Sequence, residues 1–350
     1  MKKIVLFFMF SLVLNLAACG KQEIKNDENQ FEMKIAYNLV DNYLKYLVVN
    51  DQNNLEDLIK IDLKTNLKIN DDMKKLGYKY NEITQIGDKG MIGVDVLCSS
   101  TEYAYTCIDR YNIKVEKMDN QYKISEINNE EQREAFVENS SIRLRKKSEV
   151  ETNLVLDKSS IPKYVYSKDD KTVSNMIDVD NITLANISLS YTGEYLLFSA
   201  KNEENIYIGL VSIDEFRTTM NETPTGGEEQ DMGGSTQSSR EIPIGKEMLD
   251  IDYLTKATVD KLTFTPNEKL CIVQYKRDDL GESLRVYDAS NGDIISFSFE
   301  EEFPPEIYNV KFSSYDKKFI YFYVSSIGNT NKNLVGVYKL DVLDYNVTKI

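Results

Sequence analysis

The stretch that decides the fold is residues 189–196, LSYTGEYL, because it recurs twice further along the chain without gaps. The two later copies are residues 264–271, FTPNEKLC, and residues 312–319, FSSYDKKF. Each copy consists of an apolar strand end, a polar turn and a second strand that begins with apolar residues. Self-similarity of this kind predicts a domain built from repeated β-hairpins.

Further strands are predicted after each repeat, at residues 206–214, 284–288 and 335–341. The step from Phe264 to Phe312 is 48 residues, whereas the step from Leu189 to Phe264 is 75. The surplus of 27 residues corresponds to residues 220–246, which are rich in Gly, Ser and Glu and show no period. We therefore predict a disordered insertion over residues 220–246.

The three repeats resemble the Phe-Ser-Pro-Asp-Gly-Lys-Tyr-Leu hairpin of WD40-like and TolB-like propeller blades. The resemblance implies an all-β, propeller-like domain over residues 156–350, with residues 164–178 as the outer strands of a preceding blade. Leu196, Leu270 and Phe319 would begin equivalent inner strands and be buried. Three repeats and a fragment are fewer than the four to eight blades of most closed propellers. Either a degenerate blade completes the ring, or its edges are covered by the first domain or a second copy.

The first half of the chain begins with a helical pattern at about Phe31. Its apolar stripe consists of Ala36, Val40, Tyr43, Leu44 and Leu47. A second short helix is predicted with Asn54 as its cap. The period then changes to that of antiparallel strands over residues 91–98, 102–116 and 121–127, which is an α+β arrangement.

Residues 114–124, KVEKMDNQYKI, resemble the closing hairpin of exported NTF2-like proteins. The resemblance implies an α+β NTF2-like domain over residues 31–130, with helices on one side of a curved antiparallel sheet. Residues 131–155 are highly charged, and we predict a connecting helix or linker there.

The amino terminus has the features of a secretory signal. Lys2 and Lys3 precede an apolar stretch at residues 4–14, and Leu16-Ala17-Ala18-Cys19 follows it. The last four residues resemble the lipobox of bacterial lipoproteins, and an ordinary signal peptide with a chance cysteine is the alternative. The resemblance implies removal of residues 1–18, acylation of Cys19 with palmitate-like chains, a tether over residues 19–30, and anchoring on the extracytoplasmic face of the cell membrane.

Composition restricts the partners. The formal net charge is −15, or −17 once Lys2 and Lys3 are removed. This excludes nucleic acid as an expected partner, because nucleic-acid binding needs clustered Lys and Arg. The predicted partners are the membrane, through lipid on Cys19, and another envelope protein or peptide.

Three cysteines remain after Cys19. Cys98 and Cys107 flank a predicted strand-turn-strand, and they form either a disulfide or a pair of packed free thiols. Cys271 lies in an apolar strand, and we predict that it is a small core residue.

Motifs for catalysis or metal binding are weak. The chain contains no histidine, which removes the commonest general base and the commonest metal ligand. Two Ser-x-x-Lys matches, at residues 160–163 and 314–317, lack the Lys-Thr-Gly strand that penicillin-interacting enzymes require. Acidic groups at residues 178–181 and 250–252 lack the spacing of a calcium loop. We predict no catalytic residue, no metal site and no cofactor.

These patterns predict a non-catalytic lipoprotein that serves as a binding module of the cell envelope. The alternative is a small-ligand receptor or an enzyme with a pocket in the NTF2-like domain. A buried cluster of Asp95, Tyr105 and Asp109 around one cavity would favour that alternative.

Overall fold

The chain was analysed as a computed structural model, which describes residues 30–64, 72–100, 102–118, 121–170, 172, 175–216, 241–328 and 332–350. Three helices come first: α1 (Met33–Val48), α2 (Gln52–Leu58) and α3 (Ile61–Lys64). The predicted apolar stripe of α1 is buried along its whole length. Asp51, rather than the predicted Asn54, caps α2 by accepting a hydrogen bond from the backbone N–H of Asn54 at 3.3 Å. Among the described residues, no helix is long and apolar enough to cross a membrane.

A curled, half-barrel antiparallel sheet follows the helices, and we call it the curled sheet. Its strands, in spatial as in chain order, are β1 (Met73–Ile86), β2 (Lys89–Ser100), β3 (Tyr105–Met118), β4 (Gln121–Glu138), β5 (Ser141–Lys146) and β6 (Asn153–Asp157). Register shifts interrupt the β1–β2, β3–β4 and β5–β6 pairs. Such bulges bend strands and increase twist, which gives the sheet its curl. An NTF2-like identity is not shown by this arrangement and stays a prediction.

The predicted connecting helix or linker over residues 131–155 is wrong. β4 continues to Glu138, and β5 and β6 extend the same sheet. The charges that suggested a helix instead pair between strands, because Arg145 contacts Glu134 and Lys147 contacts Glu130. Opposite charges facing each other across neighbouring strands stabilise a sheet. Residues 33–350 consequently form one compact unit.

Three further antiparallel sheets, which we call the blade sheets, make the chain mostly β. Their strands are β9 (Thr183–Leu189), β10 (Tyr195–Asn202), β11 (Asn205–Ile213), β12 (Gly245–Leu254), β13 (Ala257–Phe264), β14 (Leu270–Arg277), β15 (Glu282–Asp288), β16 (Tyr308–Tyr315), β17 (Phe319–Ser326), β18 (Gly336–Asp341) and β19 (Val347–Lys349). The first blade sheet has the order β12-β11-β10-β9, the second β13-β14-β15 and the third β16-β17-β18-β19. The propeller-like repeat of three sheets is confirmed.

Smaller elements fill the remaining connections. A 3-10 turn (Lys158–Ser160) precedes the hairpin of β7 (Tyr164–Val165) and β8 (Ile177–Asp178), which corresponds to the predicted fragment of a preceding blade. The short helix α4 (Phe299–Glu302) lies between the second and third blade sheets. Most of the predicted insertion, residues 220–240, lies outside the described residues, and its last two residues, Gly245 and Lys246, already belong to β12.

The repeat alignment holds in two of the three hairpins. Leu196 lies opposite Leu189, and Cys271 lies opposite Phe264. In the third hairpin a register shift follows Phe312, so the buried residue near the start of β17 is Ile320. The predicted burial of Phe319 is therefore wrong, and this side chain is only half-buried.

The four large sheets contact one another in a cycle. The first blade sheet meets the second at β13, the second meets the third at β16, and the third meets the curled sheet at β1. The curled sheet returns to the first blade sheet through β9. At the closure, the hydroxyls of Tyr191 and Tyr315 hydrogen-bond to each other above Gly77, where a Cβ atom would collide with them. The curled sheet thus covers the edges that three blades leave open.

Candidate functional site: a cleft with two carboxylates

A cleft of about 810 Å³ opens where one end of β2, β3, β4 and β5 meets β9, and we call it the rim cleft. Its lining includes the aromatic side chains of Tyr103, Tyr105 and Phe136 and the charged side chains of Glu134 and Arg145. Tyr103 is 58% exposed, so a flat apolar surface faces solvent at the cleft. A concave site with aromatic walls and a few convergent polar groups is the usual form of a small-molecule site.

Two carboxylates meet at a single hydroxyl beside this cleft. The Tyr105 Oη lies 2.7 Å from Glu131 Oε2 and 2.8 Å from Glu134 Oε2. The two carboxylate oxygens can be no further apart than these two distances combined, about 5.5 Å. We call Tyr105, Glu131 and Glu134 the carboxylate pair with its bridging tyrosine.

A β-bulge brings the two glutamates together. Residues three apart on a regular strand face opposite sides of a sheet, because side chains alternate. In the β3–β4 pair, however, Ile108 lies opposite Arg133 and Asp109 lies opposite Glu131, which leaves Gln132 as an extra residue. The bulge re-aims Glu131 so that both glutamates reach Tyr105.

A single hydroxyl proton lies between the two carboxylates of this arrangement. A tyrosine hydroxyl donates one hydrogen bond, so two ionised carboxylates could not both be satisfied by it. Burial raises the pKa of Glu131, and the charges of Glu134 and Asp109 add to this, whereas the Tyr105 hydrogen bond opposes it. Burial and the hydrogen bond to Glu131 also raise the pKa of Tyr105, so its hydroxyl stays protonated. The net effect, with burial as its largest cause, is a raised pKa that favours the protonated form of Glu131.

Arg145 is the cation next to the carboxylate pair. Its guanidinium forms an ion pair with Glu134, which is only 5% exposed, and lies 6.0 Å from the centre of the Phe136 ring. An adjacent cation favours the charged form of a carboxylate. The charge of Arg145 also acts on Glu131, where it opposes the rise in pKa.

The predicted cluster of Asp95, Tyr105 and Asp109 does not share one cavity. Asp95 forms a bidentate ion pair with Arg110, at 2.8 and 3.1 Å. Asp95 and Asp109 lie on opposite faces of the sheet, because Arg110 is the cross-strand partner of Asp95 and Asp109 is its neighbour in sequence. Of the three, Tyr105 alone lines the rim cleft. Glu131, Glu134 and Arg145 were missed because they fell within the predicted helix.

The cysteines lie where the strand pattern allows. Cys98 and Cys107 are directly opposite each other in β2 and β3, buried, and present as free thiols. A disulfide between them stays a prediction. Cys271 is fully buried in the core, as predicted. Cys19 lies outside the described residues.

A second group of buried charges lies among the blade sheets, and we call it the Arg285 network. Arg285 contacts Asp252 at 2.7 Å, Glu300 at 3.0 Å and Asp169. Asp252 also accepts a hydrogen bond from Tyr287 at 2.6 Å. The acidic group at residues 250–252, considered above for calcium, is thus occupied by protein partners, since Asp250 accepts a hydrogen bond from Tyr207.

Comparison with known proteins gives structural likenesses only. No family model matches the chain, and no curated protein matches its sequence. A candidate 6-phosphogluconolactonase from Bacteroides fragilis is 9% identical over 63% of this chain and 70% of its own, with a TM-score of 0.25. A puromycin-hydrolysing peptidase from Mycobacterium tuberculosis is 9% identical over 78% of this chain and 52% of its own, with a TM-score of 0.20. A candidate dipeptidyl aminopeptidase IV from Bacteroides ovatus is 11% identical over 78% of this chain and 45% of its own, with a TM-score of 0.28.

The chain spans about half the length of the two peptidases. The three names are those of hydrolytic enzymes, and this finding contradicts the prediction of a non-catalytic binding module. Because the TM-scores lie between 0.20 and 0.28, the likenesses assign no reaction to this chain, and its chemistry is argued below from its own side chains.

Proposed function

We propose that the chain is a hydrolase that cleaves glycosidic bonds in the rim cleft. The observation that supports this is the carboxylate pair, held within about 5.5 Å by one tyrosine hydroxyl. Glycosidases that retain configuration place their two carboxyl groups about 5 to 5.5 Å apart, whereas inverting enzymes need about 6.5 to 9.5 Å. The separation therefore favours the retaining reaction.

Glu131 is the general acid of the proposed reaction. The raised pKa of Glu131 favours the protonated carboxyl group, whose proton passes to the leaving oxygen as the glycosidic C–O bond breaks. Enzymes assign acid and base roles by placing two carboxyl groups in environments that separate their pKa values. Here burial, followed by the charges of Glu134 and Asp109, raises the pKa of Glu131.

Glu134 is the nucleophile. Its ionised carboxylate forms an ester bond to the sugar carbon as the leaving group departs with the proton of Glu131. A water molecule then attacks the same carbon, gives one proton to Glu131, and releases Glu134 as a carboxylate. Arg145 and Tyr105 hold Glu134 in position through the ion pair and the hydrogen bond at 2.8 Å.

The walls of the cleft suit a neutral substrate rich in hydroxyl groups. Tyr103 presents its exposed ring, and Tyr105 lies next to it with ring centres 5.8 Å apart. Aromatic faces pack against the apolar C–H face of a sugar ring through dispersion and apolar burial. A neutral sugar also avoids the repulsion that an anionic substrate would meet from Glu102 and the carboxylate pair.

The test uses a panel of chromogenic 4-nitrophenyl glycosides, with 4-nitrophenyl acetate and peptide 4-nitroanilides as comparison substrates. We expect one class of glycoside to be hydrolysed, and we expect Glu131→Gln and Glu134→Gln each to lower kcat by about 10²-fold or more. Glu126→Gln is the matched control, because Glu126 is an exposed carboxylate of the same strand that pairs with Lys114. Azide should restore turnover to Glu134→Ala by attacking the sugar carbon in place of the missing carboxylate, and the glycosyl azide formed should have inverted configuration.

The pH profile separates the two roles. Loss of the Glu131 proton at high pH should lower the activity of the unaltered chain, and Glu131→Gln should abolish this alkaline limb. The proposal is wrong if no glycoside is cleaved, or if esters or anilides are cleaved equally well by Glu131→Gln and Glu126→Gln.

We also propose that Cys19 carries lipid and anchors the chain on the extracytoplasmic face of the cell membrane. The support is the lipobox-like stretch Leu16-Ala17-Ala18-Cys19 behind an apolar segment. Metabolic labelling with a fatty-acid analogue should tag the unaltered chain and not Cys19→Ala. Equal labelling of both would contradict the anchor without affecting the proposed reaction.

A further inference from the structure

Two thiols and a carboxylate converge on the face of the curled sheet that also carries the carboxylate pair, as its cross-strand neighbours. Cys98 and Cys107 lie opposite each other in the β2–β3 register, and Asp109 is two residues further along β3 on the same face. All three residues are buried, and one ligand atom from each lies within 4.8 Å of the other two. We call Cys98, Cys107 and Asp109 the thiol cluster.

Asp109 is the hub of the thiol cluster. Its Oδ2 lies 3.7 Å from Cys98 Sγ, and its Oδ1 lies 3.6 Å from Cys107 Sγ. In a tetrahedral zinc site, with Zn–S of about 2.3 Å and Zn–O of about 2.0 Å, a sulfur and an oxygen ligand lie about 3.5 Å apart. Two sulfur ligands lie about 3.8 Å apart in the same geometry. The two sulfur–oxygen separations, one to each oxygen of Asp109, are close to these values, and the two sulfurs lie within 4.8 Å of each other.

We propose that Cys98, Cys107 and Asp109 bind one Zn²⁺ ion. Two thiolates and a carboxylate are ligands that zinc accepts, and three protein ligands leave a fourth position for water. Hard cations are disfavoured by the two sulfurs, because calcium and magnesium take oxygen ligands.

Lys75 balances the charge of the proposed site. Its Nζ donates a hydrogen bond to Cys98 Sγ at 3.2 Å and lies 3.6 Å from Asp109 Oδ2. With two thiolates, one carboxylate and one ammonium, the cluster has a net charge that a single divalent cation neutralises. A buried site is most stable when its charges cancel in this way.

Ligation by zinc differs from a disulfide in the role of Asp109. A Cys98–Cys107 bond would remove both thiols and leave Asp109 and Lys75 as an ordinary ion pair. Zinc would use all three acceptor groups and keep Lys75 as a hydrogen-bond donor to a ligand, which is a common outer-shell contact in metal sites. The inference goes beyond the proposed hydrolase, because the carboxylate pair does not include any of the three ligands.

The experiment measures metal directly. The full chain is purified with a reductant that contains no thiol and is incubated with Zn²⁺. A desalting column removes unbound metal, and elemental mass spectrometry then measures the zinc that remains. We expect about one zinc per chain for the unaltered protein, as for a single three-ligand site. Cys271→Ala is the matched control, since Cys271 is a buried free thiol outside the cluster, and it should bind the same amount.

Cys98→Ala, Cys107→Ala and Asp109→Asn should each lower the zinc content at least tenfold. Co²⁺ added to the unaltered chain should give the near-ultraviolet absorption of a cobalt–thiolate bond. This measurement uses no variant, so misfolding of a variant cannot affect it. Zinc should also raise the melting temperature of the unaltered chain and of Cys271→Ala.

Absence of zinc and of the cobalt band in the reduced, folded chain would overturn the proposal. A persistent Cys98–Cys107 disulfide, seen as the loss of two titratable thiols, would overturn it as well. Equal zinc in Asp109→Asn and the unaltered chain would remove Asp109 from the site and contradict the ligand set. None of these measurements uses a substrate. A chain that binds no zinc can therefore still be a hydrolase, and a chain that cleaves no glycoside can still bind zinc.

Discussion

The Arg285 network and the carboxylate pair both contain buried charges, but they are organised in opposite ways. In the Arg285 network each carboxylate contacts a guanidinium, because Asp252 meets Arg285 and both Asp169 and Glu300 meet Arg285 and Arg277. In the carboxylate pair two like charges face one hydroxyl. Complementary charges hold sheets together, whereas like charges raise a pKa and prepare a proton for transfer. The blade sheets therefore carry structure, and the curled sheet carries the candidate chemistry.

Breaking the Arg285 network should give the largest loss of stability. Asp252→Ala leaves the buried Arg285 without its closest fully buried partner, and Tyr287 loses its acceptor. We expect a cost of about 3 to 5 kcal/mol, the range for removing one member of a buried ion pair. Denaturant unfolding measures this, with Asp293→Ala as the exposed control. A small effect would show that Asp169 and Glu300 suffice for Arg285.

The apolar packing of the third blade sheet gives the next test. Phe322 is fully buried and stacks on Tyr338 with ring centres 5.5 Å apart, whereas Phe319 is half-buried beneath Lys339. Phe322→Ala should cost about 3 to 5 kcal/mol, as for other buried phenylalanines. Phe319→Ala should cost clearly less, and Lys318→Ala, on an exposed turn, no more than about 0.5 kcal/mol. Equal losses for Phe319 and Phe322 would restore the gapless repeat alignment that the register contradicts.

A single methyl group added at Gly77 should destabilise the contact that closes the cycle of four sheets. In Gly77→Ala the added Cβ would collide with the hydroxyls of Tyr191 and Tyr315. We expect a cost of about 1 to 3 kcal/mol, the usual range for overpacking a filled site. The double variant Gly77→Ala with Tyr315→Phe should recover part of the loss in thermal unfolding. Additive losses would show that the collision is relieved elsewhere.

The smallest expected effects have opposite signs at two glutamates of the curled sheet. Hydrogen bonds from Lys60, with further help from Lys89, lower the pKa of Glu116 to about 2, so its contribution to stability is present at neutral pH and is lost as pH falls towards 2. The pKa of Glu131 is raised, so its contribution is present at low pH and is lost as pH rises through that raised value. At pH 7 Glu116→Gln should destabilise the chain and Glu131→Gln should leave it unchanged or slightly more stable. Denaturant midpoints across pH 3 to 8 would show the two trends, and parallel trends would contradict the assignment of Glu131 as the acid.

What the sequence predicted well was local. The hairpins at residues 189–196 and 264–271 are set by a polar turn between two apolar strand ends, and both keep the predicted register. The helix at Met33–Val48 follows from its apolar stripe in the same way. These features depend on residues close together in the chain, so a periodic pattern is sufficient to find them.

The features that the sequence did not predict depend on β-bulges and on contacts between residues far apart in the chain. Glu131 and Glu134 reach one hydroxyl because Gln132 is an extra residue in β4, and no pattern of alternation contains that information. Their charges also resembled a helix until β5 supplied partners across the sheet. Asp252 and Arg285 come from different blade sheets, so their pairing follows only from the folded arrangement.

The closure at Gly77 also sets the order in which the molecule can be completed. Tyr315 follows Gly77 by more than two hundred residues, whereas neighbouring strands of the curled sheet join through short turns. During synthesis the curled sheet is therefore finished first, and its side that faces β16 stays open until the last strands emerge. Contacts between such distant segments form slowly, and an open flank exposes apolar surface meanwhile. A chain that ends before β16 would keep this apolar surface exposed permanently. Carboxy-terminal truncation should therefore lower the stability of the curled sheet, although the removed strands lie far from the rim cleft in sequence.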